Sequence, residues 1–322
     1  MKIIVTGSLG NISQPLTKEL VQQGHAVTVV SSNPAKRAAI EALGAMAAIG
    51  SLEDAPFLAA TFAGAEAVYC MLPPFNYFDP ALDYMAATRQ LTTNYVEAIQ
   101  QAGIKRVVHL SSVGAHLAAG SGVLQFHHLA EAIFRTLPSD VALTHLRPTS
   151  FYTNLYQNID LIRGKGLMGR LMALRFSGPM ALLMGKTGVL LGNYGGEDKI
   201  AWVSPHDIAT AAAEELTTLA TGHHVRYVAS DELTCNQVAR ILGTAVGKPY
   251  LKWVLLSDKD MLSGLKQFKM PEPAAKDLVA MNAGLHSGLV EEDYYRHRPP
   301  VLGQVKMTDF AQEFAAAYYH TT

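Results

Sequence analysis

The chain has 322 residues, 49% apolar and 16% charged, enough to bury a substantial core in one large α/β unit or two lobes. A net charge of −1 without any basic stripe excludes nucleic acid as an expected partner. Cys70 and Cys235 stand far apart with no CxxC or Cys–His spacing, which argues against structural zinc and for a reducing, cytoplasmic setting.

The apolar run after Lys2 is only Ile3, Ile4 and Val5, too short for a signal peptide and typical of a strand buried on both faces of a parallel sheet. Gly7 and Gly10 follow, then Pro15, Leu16, Leu20 and Val21, an amphipathic helix with proline in its first turn. Strand, glycine turn and helix N-terminus together make an anion site, because backbone N–H groups and the positive end of the helix dipole point at it. Gly7 permits the tight turn and Gly10 lets a pyrophosphate approach, while Ser13 departs from the usual third glycine. Gly7, Ser8, Leu9, Gly10, Asn11 and Ile12 are therefore candidates to bind a dinucleotide. An ordinary βα turn has the same look, so the elements that follow must decide.

Ala26 to Val30 is a second buried strand, ending in Ser31-Ser32-Asn33-Pro34-Ala35-Lys36-Arg37. An NAD-selective site carries an acid for the ribose 2′-hydroxyl about 20 residues beyond the glycine turn. Here that loop has hydroxyls, an amide and two cations instead. Ser31, Ser32, Asn33 and Arg37 suit a 2′-phosphate, so NADP(H) is favoured over NAD(H), although Lys36 and Arg37 also fit the solvated face of a helix. A third strand spans 45–49 and a fourth 67–71, followed by Gly50-Ser51-Leu52-Glu53-Asp54 and Leu72-Pro73-Pro74 respectively. Strand ends on this edge of a doubly wound sheet form the ligand crevice, which makes Ser51, Leu52, Met71, Leu72 and Pro73 candidates around the adenine and pyrophosphate. Phe75, Tyr77, Phe78 and Tyr84 either cap a pocket for a flat substrate or fasten a loop to the next helix. That helix runs from about 81 to 102 and is closed by Gly103; a fifth strand, 107–110, ends in Ser111-Ser112-Val113-Gly114. Strands alternating with helical patterns imply a parallel sheet with helices on both faces.

These residues resemble the atypical short-chain dehydrogenase/reductase superfamily and, within it, the NmrA-like group. The resemblance is carried by Thr6-Gly7-Ser8-Leu9-Gly10-Asn11, Asn33-Pro34 with Arg37, Gly50 to Asp54, and Val108-His-Leu-Ser-Ser-Val-Gly114. It continues through Leu146-Arg147-Pro148 with Phe151 and Asn154 and through Val203-Ser-Pro-His-Asp207-Ile-Ala209, and so covers nearly the full length. It implies a Rossmann-type doubly wound domain, with Ser111, Pro148 and Phe151 approaching the cofactor and Asn154 opening the substrate side. Dehydrogenases of this superfamily polarise a carbonyl with a strand-end serine and protonate it with a Tyr-x-x-x-Lys pair, since hydride delivery leaves an alkoxide. Ser112 stands where that serine belongs, but the following helix reads Phe126-His127-His128-Leu129-Ala130-Glu131. The one-turn pair is thus His127 and Glu131. Ser112, His127 and Glu131 are the catalytic candidates, with the carboxylate expected to raise the imidazole pKa. A helix-surface ion pair, or a passive histidine under the nicotinamide, fits the same spacing. The group includes redox-sensing regulators that bind the dinucleotide without turnover. It also includes the type 2 quinone oxidoreductase branch, which lacks the Tyr/Lys pair and which this sequence most resembles. A reduced quinone is a far weaker base than an alkoxide, so loss of the pair is tolerable there.

Val141 to Leu146 is a sixth strand. The segment 160–196 is Gly- and Met-rich, and Met168, Met172, Met180 and Met184 either line an adaptable pocket or fill core. Arg175, Lys186 and several glycines interrupt its apolar stretch, so no membrane span is expected. Further strands are expected at 199–203 and 225–228, with helices from Pro205, after the Thr234 cap, and over 307–319. His223-His224 reads as a turn, with no metal expected there. The domain expectation is a dinucleotide-binding domain over 1–152, completed by about 198–230. A smaller, mostly helical substrate lobe should cover 153–197 and 231–322. Two functions remain: an NADPH-dependent quinone reductase with a small-molecule substrate, or a non-catalytic NADP(H) sensor with a protein partner. A homodimer stays open for either. A sugar-nucleotide epimerase would rely on the missing Tyr/Lys pair.

Overall fold

The structure is a computed structural model describing residues 1–320 apart from 165–170, 172–173, 177, 181–182, 184–185, 187 and 219–220. The chain begins β1 (Lys2–Val5), α1 (Ser13–Gln22), β2 (Ala26–Ser31), α2 (Arg37–Glu41), β3 (Met46–Ile49), α3 (Ala55–Phe62) and β4 (Ala67–Cys70). It continues with α4 (Tyr84–Ala102), β5 (Arg106–Leu110), α5 (Gln125–Phe134), β6 (Ala142–Pro148), β7 (Ser150–Phe151), α6 (Ile159–Arg163), β8 (Leu190–Gly192) and β9 (Lys199–Val203). Then come α7 (Pro205–Thr217), β10 (His223–Val228), β11 (Asp231–Thr234), α8 (Cys235–Ala245) and β12 (Trp253–Leu255). The last helices are α9 (Asp258–Gln267), α10 (Glu272–His286), α11 (Glu292–Arg296) and α12 (Met307–His320).

Two compact units divide these elements. The first comprises Met1–Ala119, Leu124–Pro148 and Pro205–Val228. Its seven-stranded sheet has the order β10-β6-β5-β4-β1-β2-β3, with every neighbouring pair parallel. This is the Rossmann-type doubly wound sheet expected from the sequence. The order reverses beside β1: β2 and β3 extend to one side, β4, β5, β6 and β10 to the other, which puts the topological switch point at the glycine turn. Ile3, Ile4 and Val5 are fully buried, as are all four residues of β4. On one face Phe62, Tyr95 and Phe134, each fully buried, form an aromatic ladder from α3 through α4 to α5. Centroids are 6.4 Å apart for Phe62–Tyr95 and 6.1 Å for Tyr95–Phe134, both pairs stacked.

Local signals set the helix ends. Asp54 caps α3 by accepting from the Phe57 amide (2.9 Å) and Asp83 caps α4 by accepting from the Ala86 amide (2.9 Å), each cap contributing about 1 kcal/mol. Asp83 explains why α4 starts at Tyr84 rather than 81. Gly103 ends it in the left-handed region at φ +67°. His223 and His224 lie in β10, not in a turn, where His224 Nε2 is 3.0 Å from Glu215 Oε2. Among the described residues no group of side chains could hold a metal ion, and no helix is long and apolar enough to cross a membrane.

The second unit comprises Gly120–Val123, Thr149–Ser204 and Ala229–Thr322. It contains a three-stranded sheet, β11-β9-β7, and a parallel pair, β12-β8, with α6 and α8 to α12. The expected strand over 199–203 is β9, but its partners are β7 and β11, so only 205–228 returns to the first unit instead of 198–230. Thr234 and Gln237 form a capping box on α8. Of the four methionines read as pocket or core, Met168, Met172 and Met184 lie outside the described residues, and Met180 is exposed.

Candidate active site

The turn after β1 is built for close approach. Gly7 sits at φ +92°, where a Cβ would lie 2.5 Å from Met71 Sδ and 2.6 Å from Ser13 Oγ. Ser8 follows at φ +56°, its amide donating to the Val30 carbonyl (3.0 Å) and its Oγ lying 2.9 Å from Ser31 Oγ. Among the described residues no acceptor takes the amides of Leu9, Asn11 and Ile12, the last turn before α1. These are the N–H groups an anion would meet. Ser13, the departure from the third glycine, is buried and donates Oγ to the Thr6 carbonyl (2.8 Å), so a hydrogen bond joins helix to strand there. Thr6 Oγ1 in turn donates to the Tyr69 carbonyl (3.0 Å) and accepts from the Met71 amide (3.0 Å), which fixes the ends of β1 and β4 side by side.

The loop after β2 turns Ser31 inward and leaves Ser32, Asn33, Lys36 and Arg37 exposed. Asn33 Oδ1 accepts from the Ala35 amide (2.9 Å), and Ser31 Oγ accepts from the Asn33 amide (3.2 Å). Arg37 leans on Glu41 at 3.6 Å across an exposed helix face, a weak tether that leaves the guanidinium available. After β3, Ser51 and Leu52 are held from α4: Asn94 Nδ2 donates to the Leu52 (3.1 Å) and Glu53 (3.0 Å) carbonyls. Tyr95 Oη donates to the Met71 carbonyl (2.9 Å), beside Leu72 and Pro73. Tyr95 was not singled out in the sequence, since its helical spacing marks only core.

On the other side of the switch point, Ser111 and Ser112 follow β5, and Pro148 ends β6, its carbonyl accepting from the Val113 amide (2.9 Å). Phe151 lies in the second unit, opposite Val203 in β7–β9 pairing. Glu131 is fully buried. Its Oε1 accepts from Ser111 Oγ (2.6 Å) and Arg147 Nε (2.8 Å), its Oε2 from Arg147 Nη2 (2.7 Å) and Arg135 Nη2 (2.5 Å). Burial alone would raise its pKa, but the Arg147 hydrogen bonds and nearby positive charge outweigh that and bring it to about 2. The expectation that Glu131 keeps His127 protonated is therefore overturned. Burial dominates and holds His127 at about 4, with Glu131 opposing only in part. Its Nδ1 is buried without a hydrogen-bond partner, and its ring packs on Phe126 at 3.9 Å. The adjacent His128 donates Nδ1–H to the Ala115 carbonyl (2.9 Å), which leaves Nε2 as its second polar atom.

Phe75, Tyr77 and Tyr84 do form a cluster, and Phe126 joins it from α5. Centroid distances are 5.3 Å for Phe75–Phe126 and 5.8 Å for Tyr77–Tyr84, both edge to face. All four rings are only half-buried, whereas Phe78 points away at 53% exposure. Phe126 was missed in the sequence because it is 51 positions beyond Phe75 and only the fold joins them.

The donor set fits a nicotinamide dinucleotide. The turn has no room for a Cβ at Gly7, unclaimed amides face the helix start, and no carboxylate stands between Ser31 and Arg37 to repel a 2′-phosphate. Comparison with known proteins agrees. The model of a family described as NAD(P)H-binding matches residues 7–167. No curated protein matches the chain by sequence. Among solved structures, the triphenylmethane reductase of Citrobacter sp. superposes with TM-score 0.71 at 19% identity, over 97% of this chain and 100% of that one. The NADPH-dependent quinone oxidoreductase of Escherichia coli, solved with NADPH, gives 0.70 at 21% identity over 97% and 99%. A nucleoside-diphosphate-sugar epimerase of Staphylococcus aureus gives 0.69 at 14% identity over 97% and 100%. At these identities the likeness establishes the fold, which reductases and an epimerase share.

Proposed function

We propose that this chain, which belongs to the NAD(P)H-binding family, is an NADPH-dependent reductase acting on a quinone or a similarly flat electrophile. One observation carries the reading: the two positions that would supply acid chemistry hold a neutral His127 and a carboxylate saturated by two arginines and a serine. A simple ketone would yield an alkoxide with no strong acid beside it, whereas a quinone yields a weakly basic, delocalised oxygen. The half-buried rings of Phe75, Tyr77, Tyr84 and Phe126 offer such a flat molecule an aromatic wall. Two structural neighbours, a quinone oxidoreductase and a triphenylmethane reductase, are in keeping with flat, conjugated acceptors.

When bound, the reduced nicotinamide supplies hydride. The chain supplies the rest. Amides of the Gly7–Ile12 turn hold the pyrophosphate at the α1 N-terminus, and Ser32, Asn33 and Arg37 take the 2′-phosphate. Ser51, Leu52, Met71, Leu72 and Pro73 enclose the adenosine half. Ser112 donates to the substrate oxygen, and the weakly basic reduced quinone takes its proton from solvent. Cys70 and Cys235 are free and buried, in keeping with a reducing cytoplasm.

The test is steady-state NADPH oxidation with benzoquinones, naphthoquinones and simple ketones side by side. Turnover of quinones with none of ketones is the expected result. A saturated Glu131 would equally suit a non-catalytic NADP(H)-binding regulator, and tight NADPH binding without turnover of any quinone would move the reading there.

A further inference from the structure

We infer that Glu131 is a positioning residue, which sets the strand ends on the nicotinamide side of the site rather than moving a proton. The inference rests on the reductase reading only for its activity readout. In a doubly wound sheet the dinucleotide crosses the crevice at the switch point, here beside β1. The acid-free loop after β2 marks the adenosine side, so the opposite half extends over the ends of β5 and β6.

Glu131 joins those ends. It projects from α5 and is tied to Ser111 at the end of β5 by Ser111 Oγ (2.6 Å). It is tied to Arg147, near the end of β6, by Nε (2.8 Å) and Nη2 (2.7 Å), a fork-on-fork pair. Arg147 extends the tie to β10, its Nη1 donating to Tyr227 Oη (3.0 Å) with the guanidinium over the Tyr227 ring at 5.6 Å. Ser111 adjoins Ser112, and Arg147 adjoins Pro148. One carboxylate therefore fixes the spacing of both segments that border the reacting end. Every one of its acceptor positions is used inside the protein, so it has no capacity left for substrate.

The side chain also has an unusual place in the pattern. It occupies the slot one turn after His127 in which a cation would assist an acid. A carboxylate there would be repelled by developing negative charge on a substrate unless neutralised, and Arg147 and Arg135 neutralise it. The arrangement trades acid chemistry for fixed geometry, and a misplacement of about 1 Å at a reacting centre can cost about a hundredfold in rate.

The experiment compares Glu131→Gln with the wild type by NADPH titration, following both affinity and the emission of the bound nicotinamide, and by quinone turnover. Glutamine keeps the size and still accepts from Ser111, but lacks the charge. The expected result is a Kd for NADPH within about threefold of wild type, kcat lower by about tenfold or more, and an altered nicotinamide emission. Ser111→Ala, which removes one bond to the carboxylate, should show the same split more weakly, and it decides the matter if Glu131→Gln does not fold. Unchanged kcat and emission would overturn the inference. So would a loss of NADPH affinity in step with kcat in both variants, which is the mark of a general structural role. Wild-type protein that binds NADPH but reduces nothing would sink the reductase reading alone, since the emission comparison would still decide for or against Glu131.

Discussion

His109 and His145 face each other across β5 and β6 with Nδ1 atoms 3.1 Å apart, both buried and both with Nε2 unpartnered. Such a pair shares one hydrogen bond between two neutral rings, and burial holds the His145 pKa at about 4 and pushes His109 well below its usual 6.5. With His127 also at about 4, the unfolded chain binds more protons than the folded one whenever pH drops below 6.5. Stability should therefore decline as pH falls from about 6.5 towards 4. Glu131 adds a second loss, from 4.5 down towards its folded value of about 2. Thermal melts across that range check this, and a flat profile between pH 7 and 4 would contradict it. Glu291 behaves oppositely. Burial raises it to about 8, against the hydrogen bond it accepts from the Ala201 amide (2.8 Å). Its neutral form contributes stability that is complete below 4.5 and lost as pH rises through about 8. Glu291→Gln should raise the melting temperature by a few degrees at alkaline pH and leave it unchanged in acid. Equal shifts at both would show that the carboxyl is not the cause.

At the scale of elements, the proposed preference for NADPH is tested at the β2–α2 loop. Among the described residues Arg37 is anchored to the fold only by its exposed contact with Glu41 and a long hydrogen bond to Ala47, so replacing it should leave the sheet intact. Arg37→Glu should weaken NADPH binding by about tenfold or more, a charge-assisted hydrogen bond and its reversal, with NADH affinity little changed. Equal loss for both nucleotides, measured by titration, would remove the 2′-phosphate from the account. Most of the β1–α1 turn and the β2–α2 loop was legible in the sequence because it depends on local signals: the apolar triplet Ile3–Val5, the Gly7 turn, and the missing acid after Val30. The Thr234 cap was legible for the same reason, whereas Asp83 was not read as a cap and α4 begins three residues later than expected. The α5 site was not. The His127–Glu131 spacing is correct, yet the partners of Glu131 come from Arg147 and Ser111 on different strands, and only the parallel stacking of β5 on β6 brings them together. A one-turn spacing says which side chains share a face; it does not say which of them a third element claims first.

Across the whole chain, alternation of short apolar strands and amphipathic helices was enough to give the doubly wound sheet, since each β-α-β unit must bury the strand on both faces. Assigning β9 was harder. Lys199–Val203 reads as one more buried strand, but it pairs with β7 and β11, passing over β8 and β10 in sequence, in a separate small sheet. Local pattern specifies that a strand is buried, and long-range pairing specifies where. The fold is shared by reductases and an epimerase among its structural neighbours, so function rests on the few side chains at the strand ends. The most direct measurement is a single-turnover experiment: protein loaded with NADPH is mixed anaerobically with a naphthoquinone and the nicotinamide absorbance is followed. Rapid oxidation of the bound cofactor is expected, retained when His127 is replaced by phenylalanine. Bound NADPH that persists unoxidised in the wild type with every quinone offered would contradict it.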